Sequence, residues 1–190
     1  MKKIAIFASG SGSNAENIIR HFASNNQISV DSVFCNVADA YVLTRAQKYH
    51  IPTFVFDKKE LVDPDRLLKQ LQERQIDFIV LAGFLWLMPP HITNAYTRRI
   101  INIHPSLIPS FCGVGYYGLK VHEAALARGV KLTGATVHYV DEGMDSGPIL
   151  LQKAVEVKPG DTPEILQRRV MEEAEWILLP QAIDMIANQK

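Results

Sequence analysis

The chain has 190 residues, 47% of them hydrophobic and 21% charged, which is ordinary globular composition and fits one domain. Twenty basic and twenty acidic residues give a formal net charge of zero, which argues against a protein that binds DNA or RNA through a basic excess. Two cysteines, Cys35 and Cys112, exclude a disulfide scaffold and a four-cysteine metal site.

The apolar runs of the sequence are too short to cross a membrane. The longest, Phe78 to Met88, has eleven residues and is closed by Pro89 and Pro90, whereas a membrane span needs about 20 residues. The N-terminal run, Ile4 to Ala8, is too short for the core of a signal peptide. Together with two free thiols, these features predict a cytoplasmic protein.

Apolar runs alternate with helical patterns along the first half of the chain. Ser13 and Glu16 have the capping-box spacing that begins a helix at Asn14–Ala23. Asp63 followed by Pro64 predicts another helix start. Strands are predicted at Ile4–Ala8, Val30–Cys35, Thr53–Phe56, Phe78–Ala82 and Arg99–His104, and further helices at Ala40–His50, from Asp63 to about Arg74, and in a short turn from Pro90.

The second half has two longer strands, predicted at 132–140 and 149–157, and a last helix from Thr162 to about residue 187. A shorter helix is predicted at 122–127. The fold class is therefore α/β: a single domain with a mostly parallel, twisted sheet of about seven strands, helices on both faces and a long C-terminal helix. Within it we distinguish a mononucleotide-binding half, 1–104, from a half with catalytic loops and the last helix, 105–190.

In parallel sheets, ligands bind outside the carboxyl ends of the strands. This rule gathers three distant segments at one edge of the predicted sheet: Ser9 to Asn14, Gly83 to Met88, and Asn102 to Pro105. Each segment carries features that suit a ligand.

Residues Gly10 to Ala15 match the pattern G-x-G-x-x-A between a strand and a helix. A helix N-terminus offers N–H groups and partial positive charge, and the hydroxyls of Ser11 and Ser13 add donors, so the loop favours one phosphate. A dinucleotide is an alternative, although the second strand ends in Cys35 and Asn36 without the acid that would bind a ribose. A tight turn that binds nothing is the structural alternative.

Asn102 and His104 lie two residues apart on a predicted strand, so their side chains point to the same face. The neighbours Ile101 and Ile103 face apolar packing. An amide can donate to a developing oxyanion and an imidazole can carry a proton, so the pair is a candidate catalytic centre. A buried histidine held by a neighbouring asparagine is the alternative.

A carboxylate beside His104 would orient its ring and favour its protonated form. Three acids, Asp141, Glu142 and Asp145, lie in the loop between the last two strands, and spacing alone does not choose among them. A metal site of His104, His138 and one of these acids has no ligand spacing in its favour.

Two further segments follow predicted strands. Phe84 to Met88 is strongly apolar, which indicates core packing, but its place beyond a strand end also suits a flat heterocyclic ligand. Phe111 to Gly118 is rich in glycine and close in sequence to His104, which makes it a candidate lid, and Cys112 within it has no evident base.

Taken together, these motifs resemble those of the folate-dependent formyltransferases, and most closely the phosphoribosylglycinamide formyltransferases of purine synthesis. The resemblance covers essentially the whole chain, in order and spacing. It rests on the segments Ser9–Asn14, Leu81–Phe84, Asn102–Pro109, His138–Asp141 and Asp145–Ile149, and on Phe111–Gly118 with the segment Val121–Ala124 that follows it.

The resemblance implies a Rossmann-like fold and three catalytic residues. Asn102 would stabilise the oxyanion formed when the substrate amine attacks a formyl carbon. His104 would be the general acid, and Asp145 the carboxylate that raises its pKa. The formyl group would pass directly to the amine, without a covalent enzyme intermediate.

The resemblance also implies binding residues. The phosphate of the ribonucleotide would lie on Gly12, Ser13 and Asn14, and Glu175 would contact the glycinamide substrate. The co-substrate 10-formyltetrahydrofolate would be bound by Leu85, Trp86, Leu87, Met88 and Asn102, with Lys59 as the nearest match to a basic residue that contacts it in relatives.

The expected partners are therefore small molecules, phosphoribosylglycinamide and 10-formyltetrahydrofolate, with no metal, nucleic acid or membrane. A homodimer is left open. Two other functions stay open as alternatives: formylation of an amino sugar nucleotide, and a dinucleotide-binding oxidoreductase that uses the glycine loop.

Overall fold

Seven strands form one sheet in the computed structural model, which describes residues 1–188. Along the sheet their order is β3-β2-β1-β4-β5-β6-β7. The strands are β1 (Lys2–Ala8), β2 (Ile28–Cys35), β3 (Thr53–Val55), β4 (Phe78–Leu81), β5 (Ile100–His104), β6 (Leu132–Tyr139) and β7 (Ile149–Glu156). The predicted α/β sheet of about seven strands is confirmed.

Eight α-helices connect or follow the strands within the described part of the chain. They are α1 (Ser13–Phe22), α2 (Tyr41–Lys48), α3 (Lys58–Val62), α4 (Leu67–Glu73), α5 (Pro90–Ala95), α6 (Leu119–Arg128), α7 (Pro163–Val170) and α8 (Trp176–Ala187). A π-helical segment, Met171–Glu175, joins α7 to α8, so the predicted C-terminal helix is present with a change of pitch in its middle.

The chain divides into two compact units, Met1–Ile101 and Asn102–Lys190. The division falls close to the predicted boundary between 1–104 and 105–190. None of the helices in residues 1–188 is long and apolar enough to cross a membrane.

In the first unit the strands are parallel: β1 pairs with both β2 and β4, and β2 pairs with β3. Residues Ile4 to Ala8 are fully buried, which explains why this strand reads as a continuous apolar run. Crossovers between parallel strands are almost always right-handed. With this strand order, α1 and α2 are therefore expected on one face of the sheet, and α3 and α4 on the other.

The start of α1 differs from the prediction. Gly12, not Ser13, is the N-cap residue, with a left-handed φ of 75°, and no side chain caps the helix. The expected capping box fails because the Glu16 carboxylate forms an ion pair with Arg45. The main-chain N–H of Glu16 still donates to the Gly12 carbonyl at 2.9 Å, which closes the first helical turn.

The helix predicted from Asp63 begins later, at Leu67. The Asp63 carboxylate accepts from the main-chain N–H of Asp65 at 2.9 Å, so it forms a local turn instead of capping a helix. An additional helix, α3, precedes it. Asp57 and Glu60 form the capping box of α3, each side chain accepting from the other residue's main-chain N–H.

In the second unit, β6 and β7 pair antiparallel, and the register shifts between Val137 and His138. The predicted start of α7 is confirmed, since the Thr162 hydroxyl accepts from the main-chain N–H of Ile165 at 3.3 Å. Asp161, just before it, holds Arg169 through two hydrogen bonds of 2.5 and 2.6 Å, which ties the end of α7 to the loop that leads into it.

Candidate active site

The second unit brings Asn102, His104 and Asp145 into one cluster. The Nδ1 atom of His104 lies 3.4 Å from Asp145 Oδ2, and the amide nitrogen of Asn102 donates to Asp145 Oδ1 at 3.3 Å. His104 is 5% exposed, and the side chain of Asp145 is 11% exposed. A carboxylate therefore lies beside the amide and the imidazole that were predicted on one face of the strand. The three side chains are largely shielded from water, and charge interactions are strong in such an environment.

The loop that follows β6 decides which acid reaches the histidine. Asp141 is turned back on its own loop, where its Oδ1 accepts from the Gly143 N–H at 3.0 Å and the Ser146 hydroxyl at 2.7 Å. Glu142 is exposed to solvent. Asp145 points to the cluster from a left-handed backbone conformation, with φ of 54°. Asp145 is thus the acid beside His104.

Two main-chain groups of the glycine-rich segment complete the cluster. The Nε2 atom of His104 lies 2.9 Å from the Phe111 carbonyl, and the Gly113 N–H donates to Asp145 Oδ2 at 2.9 Å. A carbonyl can only accept, so Nε2 carries a proton. Sequence analysis did not single out these groups, because any residue supplies a main-chain N–H and carbonyl.

His138, two per cent exposed at the end of β6, is a further member of the cluster. Its Nε2 lies 3.1 Å from the Asn102 amide nitrogen and 3.6 Å from Asp145 Oδ1, and its Nδ1 lies 2.8 Å from the Tyr139 carbonyl. The sequence suggested a role for His138 only in a metal site with His104, and did not predict its contact with Asn102.

Burial dominates the titration of His104. Burial lowers the pKa of His104 below 6.5, while Asp145 and the Phe111 carbonyl act in the opposite direction. The Asp145 carboxylate therefore raises the His104 pKa, as the resemblance implies, but the net direction is downward. The pKa of Asp145 is lowered although burial opposes ionisation, because His104 and the Gly113 N–H are among the neighbours that stabilise its charge.

A third histidine, His122 on α6, is fully buried, and neither of its ring nitrogens has a hydrogen-bond partner among the described residues. Burial, with a smaller contribution from His104, lowers the pKa of His122 to about 4. The unfolded chain takes up this proton below pH 6.5 and the folded protein does not, so stability falls as the pH drops from 6.5 to about 4.

We therefore expect His122→Phe to reduce this acid-side loss of unfolding free energy by about 3 kcal/mol. Urea unfolding at a series of pH values measures it, with the wild-type protein as reference. Above pH 7 the two stability curves should run parallel, since the imidazole is neutral in both states. Curves that stay parallel down to pH 4 would contradict the assignment.

In the first unit, the glycine loop connects β1 directly to α1. The carbonyls on either side of its tip are held by α2: the Val42 N–H donates to the Gly10 carbonyl at 3.1 Å, and Arg45 Nε donates to the Ser11 carbonyl at 2.9 Å. With these carbonyls engaged, the N–H groups of the first helical turn, over Ser13 and Asn14, are the groups that a helix start offers to an anion.

Arg45 of α2 contacts this loop, and the sequence did not predict that contact. Its guanidinium bridges the Ser11 carbonyl and the Glu16 carboxylate, and the Tyr49 hydroxyl donates to the same carboxylate at 3.2 Å. Arg45 therefore fixes the loop against α1 and adds positive charge at its base. Its place on α2, more than thirty residues along the chain, gave no local pattern to recognise.

The apolar segment after β4 divides into buried and exposed side chains. Met88 is 2% exposed, whereas Leu85 and Leu87 are 53% and 48% exposed. Trp86 makes edge contacts with Phe56 and Phe84, at centroid distances of 6.2 and 6.3 Å. The leucines thus offer an apolar surface that a flat ring could cover.

That segment is anchored to the glycine loop. The Leu85 N–H donates to the Ser9 hydroxyl at 3.0 Å, and the Ser9 N–H donates to the Gly83 carbonyl at 3.0 Å. Lys59 lies on α3, exposed to solvent. The position of Lys59 on α3 does not by itself assign it a ligand.

Glu175 closes the π-helical segment and is buried, with 8% of its surface exposed. A π-helical segment inserts one residue into the helical register and frequently marks a functional position.

Within residues 1–188, no group of three or more histidine, cysteine, aspartate or glutamate side chains has the arrangement of a metal site.

Residues 2–183 of the chain match the family model described as formyl transferase. The chain belongs to the formyl transferase family. It is 42% identical over 175 residues to a phosphoribosylglycinamide formyltransferase of Bacillus subtilis, with 90% of this chain and 87% of that protein covered. It is 38% identical over 191 residues to the trifunctional purine biosynthetic protein adenosine-3 of Homo sapiens, covering 98% of this chain and 18% of that protein.

A solved formyltransferase has the same fold. The crystal structure of phosphoribosylglycinamide formyltransferase from Bacillus halodurans superposes with a TM-score of 0.87 at 40% identity, covering 99% of this chain and 96% of that one. The resemblance read from the sequence motifs is confirmed at the level of family and fold. The roles of individual residues remain predictions.

Proposed function

We propose that this protein transfers the formyl group of 10-formyltetrahydrofolate to the amine of phosphoribosylglycinamide, as a step of purine biosynthesis. The observation that carries the proposal is the Asn102, His104 and Asp145 cluster in a chain about 40% identical to proteins named phosphoribosylglycinamide formyltransferase. The co-substrate would supply a formyl group bound to nitrogen, and the cluster contains the donors that its transfer requires.

Three side chains divide the chemistry. As the amine nitrogen bonds to the formyl carbon, the carbonyl electron pair moves onto oxygen, and the Asn102 amide donates to that developing charge. His104 gives its proton to the oxyanion or to the departing nitrogen, whose bond to the formyl carbon breaks as the carbonyl reforms. The proton that the amine loses returns to His104, so the enzyme ends the turnover in its starting state. Asp145 holds the imidazole by its Nδ1 and favours its charged form.

The proton on His104 Nε2 faces the Phe111 carbonyl at 2.9 Å. For His104 to act as an acid, this bond must be exchanged for one to the reacting atoms. Gly113, Gly115 and Gly118 have positive φ angles, and a Cβ at any of them would meet nothing within 4 Å. Because glycine accepts a wider range of backbone angles than other residues, this segment is suited to a change of conformation. The proposal therefore includes a lid role for residues 111–118.

The remaining residues have binding roles, either for the ribonucleotide or for the co-substrate. Gly12, Ser13 and Asn14 bind the ribonucleotide phosphate, and Glu175 contacts its glycinamide end. The pteridine ring is covered by the segment Leu85, Trp86, Leu87 and Met88, with Asn102 reaching the formyl group and Lys59 contacting the co-substrate. The exposed Leu85 and Leu87 side chains support the ring site, and the engaged carbonyls of Gly10 and Ser11 support the phosphate site.

A steady-state assay tests the function. Purified protein is mixed with phosphoribosylglycinamide and 10-formyltetrahydrofolate, and release of tetrahydrofolate is followed by absorbance, with each substrate alone as control. We expect turnover only when both are present. Turnover that instead follows an amino sugar nucleotide would assign the acceptor to the alternative formyltransferase, and saturable binding of NADH without folate binding would favour an oxidoreductase.

Location in the cytoplasm and a homodimer stay predictions from the sequence.

A further inference from the structure

Asn102 is held from one side by a histidine that the proposed reaction does not use. His138 is the last but one residue of β6, and its ring is buried between the Tyr139 carbonyl and the Asn102 amide. Nδ1 lies 2.8 Å from that carbonyl oxygen, which can only accept a hydrogen bond. Nδ1 is therefore the protonated nitrogen of His138.

The other ring nitrogen must then be the acceptor. Nε2 lies 3.1 Å from the amide nitrogen of Asn102, whose two hydrogens can only be donated. A proton on Nε2 would set N–H against N–H at this distance. The two contacts together place the hydrogen on Nδ1 and direct the lone pair of Nε2 at Asn102.

Asp145 confirms the orientation of the amide independently. Its Oδ1 lies 3.3 Å from the same Asn102 nitrogen, and a carboxylate oxygen at that distance also requires a donor. If the amide of Asn102 were turned by half a rotation, its oxygen would face the carboxylate oxygen, which also can only accept. His138 Nε2 lies 3.6 Å from that carboxylate oxygen, beyond hydrogen-bond distance, so it does not compete for it. Two acceptors thus select the NH₂ side of Asn102.

We infer that His138 is a positioning residue, which holds the NH₂ group of Asn102 toward the reacting atoms by accepting one of its two hydrogens through Nε2. This inference rests on the proposed formyl transfer. The bond to His138 is the shorter of the two, at 3.1 Å against 3.3 Å. The hydrogen now shared with Asp145 is the one that an oxyanion can take, because Asp145 keeps His104 and Gly113 as partners.

The tautomer is tested first, without turnover. Long-range ¹H–¹⁵N correlation spectra of the wild-type protein, with His138→Gln used to assign the signals, distinguish a protonated Nδ1 from a protonated Nε2. We expect the hydrogen on Nδ1 and none on Nε2. A hydrogen on Nε2, or a doubly protonated ring, would overturn the inference.

The kinetic test compares two replacements. Gln can present an acceptor oxygen near the position of Nε2, whereas Leu cannot. We expect His138→Leu to lower kcat about tenfold with KM values for both substrates nearly unchanged, and His138→Gln to recover most of that loss. Equal loss in both variants, or a loss confined to KM, would overturn the positioning role.

Thr133→Val is the matched control, an isosteric change at another buried residue of β6 whose hydroxyl has no hydrogen-bond partner among the described residues. It should leave kcat unchanged. In an Asn102→Ala background, His138→Leu should cost little further activity, because the group that it positions is gone. Additive losses would mean that His138 acts elsewhere.

The two tests distinguish a failure of the proposed function from a failure of the positioning role. A wild-type protein that transfers no formyl group to any acceptor, yet carries the His138 hydrogen on Nδ1, would contradict the proposed function and uphold the geometry assigned to His138. An active wild type with the opposite tautomer would uphold the function and reject the positioning role.

Discussion

Asp145→Asn is expected to lower kcat by about 10²–10⁴-fold, while the affinity for the phosphate-bearing substrate changes little. Asp145 accepts two hydrogen bonds, from the Asn102 amide on one oxygen and from the Gly113 N–H on the other, and His104 Nδ1 lies 3.4 Å from that second oxygen. An asparagine amide replaces one of those oxygens by a donor. In either orientation, its NH₂ group meets a donor of Asn102 or of Gly113.

The substitution also removes the charge that supports protonated His104. Burial already lowers the His104 pKa, and Asp145 is the largest opposing influence. Without it the His104 pKa falls further, so the limb of the kcat profile that requires the acid form moves to lower pH. Steady-state rates measured from pH 5 to 9 report both effects.

Asp141→Asn is the matched control, since it makes the same chemical change in the same loop. The Asp141 Oδ1 atom accepts from Gly143 and Ser146, and an asparagine oxygen can keep both bonds. Its activity should stay within about threefold of wild type. If Asp145→Asn kept its turnover but lost affinity for the phosphate substrate, the role assigned to Asp145 would be wrong.

Gly12→Ala is expected to raise KM for the ribonucleotide by more than about tenfold. The backbone of Gly12 has φ of 75°, and a Cβ there would lie 2.5 Å from the Val42 Cβ and 2.7 Å from the Val42 Cα. A main-chain atom cannot move aside as a flexible side chain can. The loop must therefore shift, and the N–H groups at the start of α1 shift with it.

Gly10→Ala provides the control within the same loop. A Cβ at Gly10 meets nothing within 4 Å, and its backbone is outside the left-handed region. We expect its KM within about twofold of wild type and its melting temperature unchanged. Isothermal titration with inorganic phosphate or a ribose phosphate measures the loop without catalysis. Equal affinity in both variants would show that the phosphate does not bind at this loop.

The alternation of polar and apolar residues along β5 predicted the catalytic pair. Asn102 and His104 alternate with buried isoleucines on β5, so one face was identified from spacing alone. The choice of Asp145 among three acids was not accessible in this way, because it depends on a loop in which Asp141 is diverted to Gly143 and Ser146. The family resemblance, not spacing, selected Asp145.

The sequence did not predict contacts made by main-chain groups or contacts between segments distant along the chain. The Phe111 carbonyl and the Gly113 N–H have no residue signature, and Arg45 reaches the glycine loop from another helix. The same competition explains the helix starts that were wrong. Glu16 pairs with Arg45 instead of capping α1, and Asp63 turns onto Asp65 instead of capping α4.

The central claim is that the cluster around His104 transfers a formyl group to an amine. Single-turnover mixing of the protein with 10-formyltetrahydrofolate, ¹⁴C-labelled in the formyl group, and phosphoribosylglycinamide tests it most directly, with His104→Ala in parallel. We predict that the label moves to the amine of the ribonucleotide, about 10²–10⁴-fold faster in the wild type, and does not stay on the protein. Equal rates in the two proteins, or label bound covalently to the wild type, would contradict it.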